Sequence, residues 1–232
     1  MTRAARPRPR TCALGIMAYN EGRNIGRLLG ALREEILVSC DLQEIVVVAS
    51  GCTDRTEELV AESARLEPRV RLLRQAKREG QASAVNLFLG AARASEPDLC
   101  ILMSADMLPQ RGALEALVRP LVDTLEAGGA EGGPGRTPRV GMTGARIIPI
   151  MGHGTVLGAA AEALARLRHR TAGWTPRLRD LVAFLNVIES VPRDSASAET
   201  SLITAITAQG LQVRYIPESV ALNRGAATVG EY

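Results

Sequence analysis

Hydrophobic positions in the first hundred residues fall in two alternating patterns. Residues 12–18 (CALGIMA) are apolar throughout, and residues 24–36 follow with Ile25, Leu28, Leu29, Leu32 and Ile36 at helical spacing. Residues 44–50 (EIVVVAS) form a second continuous run, as expected of a parallel strand covered on both faces. A turn at Gly51-Cys52-Thr53-Asp54 follows, and Asp54 with Glu57 is a plausible cap for a helix reaching Leu66. A short strand is expected over residues 70–74, a helix over 81–94 and a strand over 99–105 (LCILMSA). The alternation predicts an α/β fold with a mostly parallel, twisted sheet and helices on both faces.

The second half is less regular. Residues 110–125 read as a helix with Leu114, Leu117, Val118 and Leu121 inward, followed by a Gly/Pro stretch over 127–139. Residues 140–150 are strand-like, 155–170 and 201–209 helical, and 213–216 a last strand. The Gly/Pro stretch is too short to link two domains. One domain is therefore expected over residues 11–232, with a ligand-binding half (11–109) and a smaller acceptor-side sublobe (110–232), after a disordered basic leader over 1–10.

Composition narrows the classes. Hydrophobic residues make up 46% of the 232, so a core is affordable without disulfides or a structural metal. Arg3, Arg6, Arg8 and Arg10 are four of the 28 Lys and Arg, leaving 24 against 25 Asp and Glu. A near-neutral body and an aromatic share of 3% argue against a dedicated nucleic-acid binder. The leader lacks the apolar region of a signal peptide, and no stretch approaches the ~18 apolar residues that span a bilayer. Cys12, Cys40, Cys52 and Cys100 show no metal-type spacing and read as reduced thiols of a cytoplasmic protein.

In parallel sheets ligands bind beyond the carboxyl ends of the strands. Each of the first four strands ends in polar residues: Asn20-Glu21, Ser50 to Asp54, Arg74 to Gly80, and Ser104 to Asp106. Asp106, at such an end, offers a hard oxygen to Mg²⁺ or Mn²⁺, which would neutralise a departing diphosphate. A carboxylate there also serves as an ordinary turn or helix cap, as Asp54 does. Gln81 and Ser83 open a helix whose N–H groups suit an anion.

Taken in order, these segments resemble the family 2 glycosyltransferases of the GT-A fold. They are Ala18-Tyr19-Asn20-Glu21, VVVASGCTDRT, REGQASAVNLFLGAA, ILMSADMLPQRGALEALV and Ala198-Glu199-Thr200 before a helix ending at Gly210. The resemblance implies a metal-assisted, inverting transfer from a nucleotide-diphospho-sugar to a hydroxylated small-molecule or lipid-linked acceptor. Ala18, Asn20 and Glu21, with Ser50 and Asp54, would line the nucleoside pocket. Arg78, Gly80 and Ser83 would follow the ribose and diphosphate. Ser104, Ala105 and Asp106 occupy the D-x-D metal motif, Glu199 the general-base position, and Asn223 the place of a late metal-binding histidine. Asp180 is a minor acceptor-side candidate. His153 could reach phosphate or metal, His169 reads as a solvated helix face, and Trp174 could stack on a sugar ring.

The chain departs from the family pattern at Ser104, which replaces the motif's first carboxylate, and at Ala49-Ser50, where uridine-using members commonly carry a carboxylate against the base. The arginine-rich segment of processive members is missing, so a single, non-processive transfer is expected. The resemblance leaves open a catalytically reduced nucleotide-binding module, or a nucleotidyltransferase on the same fold. A cytoplasmic location is expected, with peripheral association at the inner membrane face conceivable.

Overall fold

Eight strands form one sheet in the order β3-β2-β1-β4-β7-β6-β8-β5. The computed structural model describes residues 8–127, 139–150, 181–194 and 198–223. The expected helix over 155–170, together with His153, His169, Trp174 and Asp180, lies outside these residues, as do 1–7 of the leader and 128–138 of the Gly/Pro stretch.

The first half alternates as the apolar runs predict. β1 (Arg10–Ala18), β2 (Cys40–Ser50), β3 (Val70–Gln75) and β4 (Leu99–Ser104) are joined by α1 (Ile25–Glu34), α2 (Thr56–Leu66) and α3 (Gln81–Ala92). β1 pairs in parallel with both β2 and β4, and β2 with β3. The chain steps outward from β1 to β3, then returns to place β4 on the other side of β1. The strand order therefore reverses between β1 and β4, and a crevice opens at such a switch point beyond the strands' carboxyl ends.

Alternate residues of each strand face opposite layers. Cys12, Leu14, Ile16, Ile45, Val47, Ile101 and Met103 pack with Leu28, Leu32 and Val60 of α1 and α2. Ala13, Val46, Val48, Cys100 and Leu102 pack with Val85 and Phe88 of α3. Val46, Val47 and Val48 are wholly buried, each side chain contributing about 1.5–3 kcal/mol relative to exposure. Gly15 gives α3 its seat on β1, since a Cβ there would lie 2.6 Å from the Phe88 ring.

Four further strands complete the sheet. β7 (Val182–Leu185) is antiparallel to β4, and β6 (Val140–Pro149) is antiparallel to β7. β5 (Met107–Pro109) pairs with the end of β8 (Gln212–Asn223). β8 runs well past the expected 213–216: its pairing with β6 jumps from Ile216↔Ala145 to Val220↔Arg146, so Pro217-Glu218-Ser219 bulges out and pairing resumes. β2 also starts earlier, at Cys40, because residues 40–43 alternate buried and exposed. Arg10, expected to close the leader, is the first residue of β1 and pairs with Asp98 at 3.2 Å.

α4 (Ala113–Glu126) and α5 (Ala198–Ala208) cover opposite faces, α4 joining the α1 and α2 layer and α5 joining α3. Ala198, Glu199 and Thr200 lie in the first turn of α5 rather than before it. The end of α5 abuts the start of β6, where Gly141 faces Ile206 and Leu211, so its first turn points back toward the crevice edge. Cys12, Cys40 and Cys100 are buried and free, and burial pushes the Cys100 thiol up to about 12. No helix of the described residues is long and apolar enough to cross a membrane.

Candidate active site

The loops after β1 and β2 are sewn together by side chains that the resemblance assigns to the nucleoside. Asn20 adopts a left-handed backbone (φ 54°), from which Oδ1 accepts the Thr53 N–H at 2.8 Å and Nδ2 donates to Thr53 Oγ1 at 3.2 Å. Asp54 Oδ2 accepts the Gly22 N–H at 2.8 Å, and Oδ1 accepts both the N–H and the hydroxyl of Thr56. The Glu21 N–H donates to Thr56 Oγ1 at 2.7 Å. Burial raises the Asp54 pKa, but the Thr56 hydroxyl and the Gly22 and Thr56 amides outweigh it and hold the carboxyl below its ordinary value. The carboxylate is thus engaged from both oxygens as a loop brace. It also caps α2, since Oδ1 takes the N–H of the helix's first residue, although Arg55 and not Asp54 immediately precedes the helix.

The loop after β3 folds onto Gly51. A Cβ on Gly51 would lie 2.6 Å from the Arg78 nitrogen, and its φ of +64° also favours glycine. Close approach here carries Arg78 over the end of β2 to Tyr19, where its guanidinium lies 4.2 Å from the centroid of the ring. Gly80, with φ 87°, leads into α3. Ser83, in the first turn, donates to Glu79 Oε2 at 2.8 Å and accepts from Gln75 Nε2 at 2.9 Å.

Asp106 follows β4 in a turn fixed by the Ala105 N–H, which donates to the Met17 carbonyl at 3.0 Å. Ala105 is fully buried, as is most of Ala18. Pairing of β5 with β8 sets Asn223 opposite Met107, and Asn223 Nδ2 donates to Asp106 Oδ2 at 2.8 Å. Asp106 Oδ1 is buried without a hydrogen-bond partner, as are Ser50 Oγ and Gln75 Oε1. A narrow crevice beside Asp106 is lined by Asn24, Arg27, Leu108 and Leu222.

Among the described residues no three His, Cys, Asp or Glu side chains converge to enclose a metal. One buried, unsatisfied carboxylate oxygen nevertheless suits Mg²⁺ or Mn²⁺, which take one or two carboxylates and complete their shell with phosphate and water. Ser104, on β4 opposite Met17, cannot supply the second charge.

The predicted residues therefore gather on one edge: Ala18, Asn20, Glu21, Ser50, Asp54, Arg78, Gly80, Ser83, Ser104, Ala105 and Asp106, with Asn223 brought to Asp106 from the end of β8. For Glu199 the structure describes its place in the first turn of α5. Two residues were not singled out from the sequence. Gln75 ends β3 and points to α3, which only strand parity could have suggested. Asn86 clamps the chain before α5, its Oδ1 accepting the Val191 N–H and its Nδ2 donating to the Val191 carbonyl, both at 2.8 Å. An Asn on the polar side of a helix carries no such signal.

The profile of glycosyl transferase family 2 matches residues 14–130. No curated protein sequence matches the chain. Among solved structures, a mannosyltransferase from Pyrobaculum calidifontis in complex with GDP-Man and Mn²⁺ superposes with a TM-score of 0.63 at 21% identity, over 96% of this chain and 59% of the other. Glucosyl-3-phosphoglycerate synthase from Mycobacterium tuberculosis, in complex with Mn²⁺, UDP and phosphoglyceric acid, gives 0.61 at 20% identity, over 96% of this chain and 73% of the other. At such identities the likeness establishes the shared fold, and the chain spans little more than half the length of the mannosyltransferase. With half the chain matched by the profile and the GT-A sheet described above, the protein belongs to glycosyl transferase family 2.

Proposed function

We propose that the protein transfers a sugar from a nucleotide-diphospho-sugar to a hydroxyl of a small-molecule or lipid-linked acceptor, with inversion at the anomeric carbon. One observation carries this reading: Asp106, at the switch point between β1 and β4, has a buried carboxylate oxygen with no partner. Burying a carboxylate oxygen that has no partner is costly, so the site suits a cation-bridged ligand.

Asp106 would hold Mn²⁺ or Mg²⁺, and both structural relatives above carry Mn²⁺. A bound cation supplies charge neutralisation of the departing diphosphate. Asn223 orients the carboxylate by fixing Oδ2. Arg78 lies on the crevice wall, within reach of the diphosphate once it leaves the Tyr19 face. Ala18, Asn20, Glu21 and Ser50 border the nucleoside, and Gly80 opens the helix beside the ribose. Asp54 and Ser83 act as braces, because their polar atoms are already engaged. Glu199, in the first turn of α5, is assigned to deprotonating the acceptor hydroxyl as it attacks opposite the diphosphate.

The assay is metal-dependent release of nucleoside diphosphate from a panel of nucleotide sugars with and without hydroxylated acceptors. Asp106→Ala is expected to abolish it while the protein still melts cooperatively; full activity in that variant would overturn the assignment. Ser104, standing in place of the metal motif's first carboxylate, favours a second reading, a nucleotide-binding module without catalysis. Transfer or hydrolysis by the wild type excludes it.

A further inference from the structure

We infer that Ser50 and Gln75 form a specificity-determining pair that reads the nucleobase through neutral hydrogen bonds, with Gln75 Oε1 accepting from a ring N–H. The inference rests on the nucleotide-sugar reading of the crevice and adds to it the chemistry of the base. Ser50 and Gln75 are direct partners at the carboxyl ends of β2 and β3. Each is only 7% exposed, yet Ser50 Oγ and Gln75 Oε1 have no hydrogen-bond partner.

Strand parity sets both side chains on the α3 face. Val46 and Val48 of β2 and Leu73 of β3 pack toward α3, so Ser50 and Gln75, an even number of residues on, face the same way. The Gln75–Ser83 bond agrees with that placement.

The hydrogen-bond chain also fixes which end of the amide is free. Ser83 gives its single hydroxyl proton to Glu79 Oε2 at 2.8 Å, so it faces Gln75 as an acceptor and takes the Nε2 proton at 2.9 Å. Gln75 is thereby held with Oε1 as a pre-oriented acceptor. Ser50 Oγ beside it can donate or accept.

These groups stand two and three strands from β4, and strands lie ~4.8 Å apart. That offset from Asp106 is about the reach of a nucleoside diphosphate from its terminal phosphate to its base. A lactam edge, as in uracil or guanine, presents a ring N–H beside a carbonyl. The N–H would meet Gln75 Oε1, and the carbonyl would take the Ser50 proton. No charge is involved, so this contact requires no ionised side chain.

Calorimetric titration with UDP, GDP, ADP and inorganic pyrophosphate in Mn²⁺ tests the pair. Wild type should prefer UDP or GDP, and Gln75→Met should weaken that diphosphate by about tenfold or more, the cost of a lost buried hydrogen bond, while leaving pyrophosphate affinity unchanged. The preferred diphosphate methylated at its ring nitrogen, titrated into unaltered protein, should lose as much. It should lose no further in Gln75→Met. Equal loss for pyrophosphate, undiminished affinity for the methylated ligand, or a preference for ADP overturns the base assignment alone. Binding of pyrophosphate with no nucleoside diphosphate overturns the nucleotide-sugar reading along with it.

Discussion

The side-chain amide of Asn223 donates to Asp106 Oδ2 at 2.8 Å, while Oδ1 of the same carboxylate is buried without a partner. The two residues are 117 positions apart in sequence. They meet because β5 pairs antiparallel with the last three residues of β8. The Asn223 amide nitrogen therefore holds one oxygen of the Asp106 carboxylate in place.

Asn223→Asp would set a second carboxylate against Asp106. Without a divalent cation the like charges repel, and the variant should melt lower than wild type by roughly 2–4 °C, the shift for about 1 kcal/mol in a chain of this size. Added Mn²⁺ should restore the loss and bind more tightly than to wild type. Thermal melts in chelator and in Mn²⁺ check both outcomes; a chelator melt equal to wild type would show that the carboxylates do not face one another.

Glu199→Gln removes the proposed base while keeping size and polarity. Turnover with acceptor should fall by about 10²–10⁴-fold, the usual contribution of a general base. Affinity for nucleoside diphosphate should not change. Parallel steady-state and binding measurements separate this from a structural role, in which both would fall.

Asn86→Ala should destabilise the protein by about 2–4 kcal/mol. It leaves both the N–H and the carbonyl of the buried Val191 without their partners. Urea denaturation measures the loss. Because Val191 precedes α5, acceptor KM should rise more than donor KM.

Gly51→Ala meets two obstacles, a φ of +64° and a Cβ 2.6 Å from the Arg78 nitrogen. The backbone conformation alone costs about 1–2 kcal/mol for a residue with a Cβ. The displaced Arg78 should leave Tyr19, seen as a change in tyrosine near-ultraviolet circular dichroism, and nucleotide affinity should drop.

Glu67 accepts a two-point hydrogen bond from the Arg69 guanidinium, each contact 2.9 Å, and this chiefly lowers its pKa from an ordinary 4.5 to about 2. The folded state holds its proton less tightly than the unfolded chain. The stabilisation is therefore complete above pH 4.5 and is lost as the pH falls toward 2. Glu67→Gln should melt below wild type at pH 7, and the gap should close between pH 4.5 and 2 in pH-dependent thermal melts.

The sequence by itself determined the parallel half of the sheet. The continuous apolar runs at 12–18 and 44–50, short and bounded by turn residues, read as strands buried on both faces, and their polar ends mark the ligand edge. Composition and periodicity say little where strands are short or broken. β7 is four residues long, and β8 passes through Pro217 by bulging. β7, and the run of β8 beyond the expected 213–216, emerge only from pairing, which is a property of two segments and not of one.

The same division holds at the site. Asp106, Arg78 and Asn20 were legible because strand ends and loop composition identify an edge. Tertiary structure decided what each polar atom is free to do. It engaged both oxygens of Asp54 and the hydroxyl of Ser83 in bracing loops. It turned Asn223 toward Asp106, and it left Ser50 Oγ, Gln75 Oε1 and Asp106 Oδ1 unsatisfied. Hydrogen-bond capacity is written in residue type, but whether a partner consumes it depends on contacts between segments far apart in the chain.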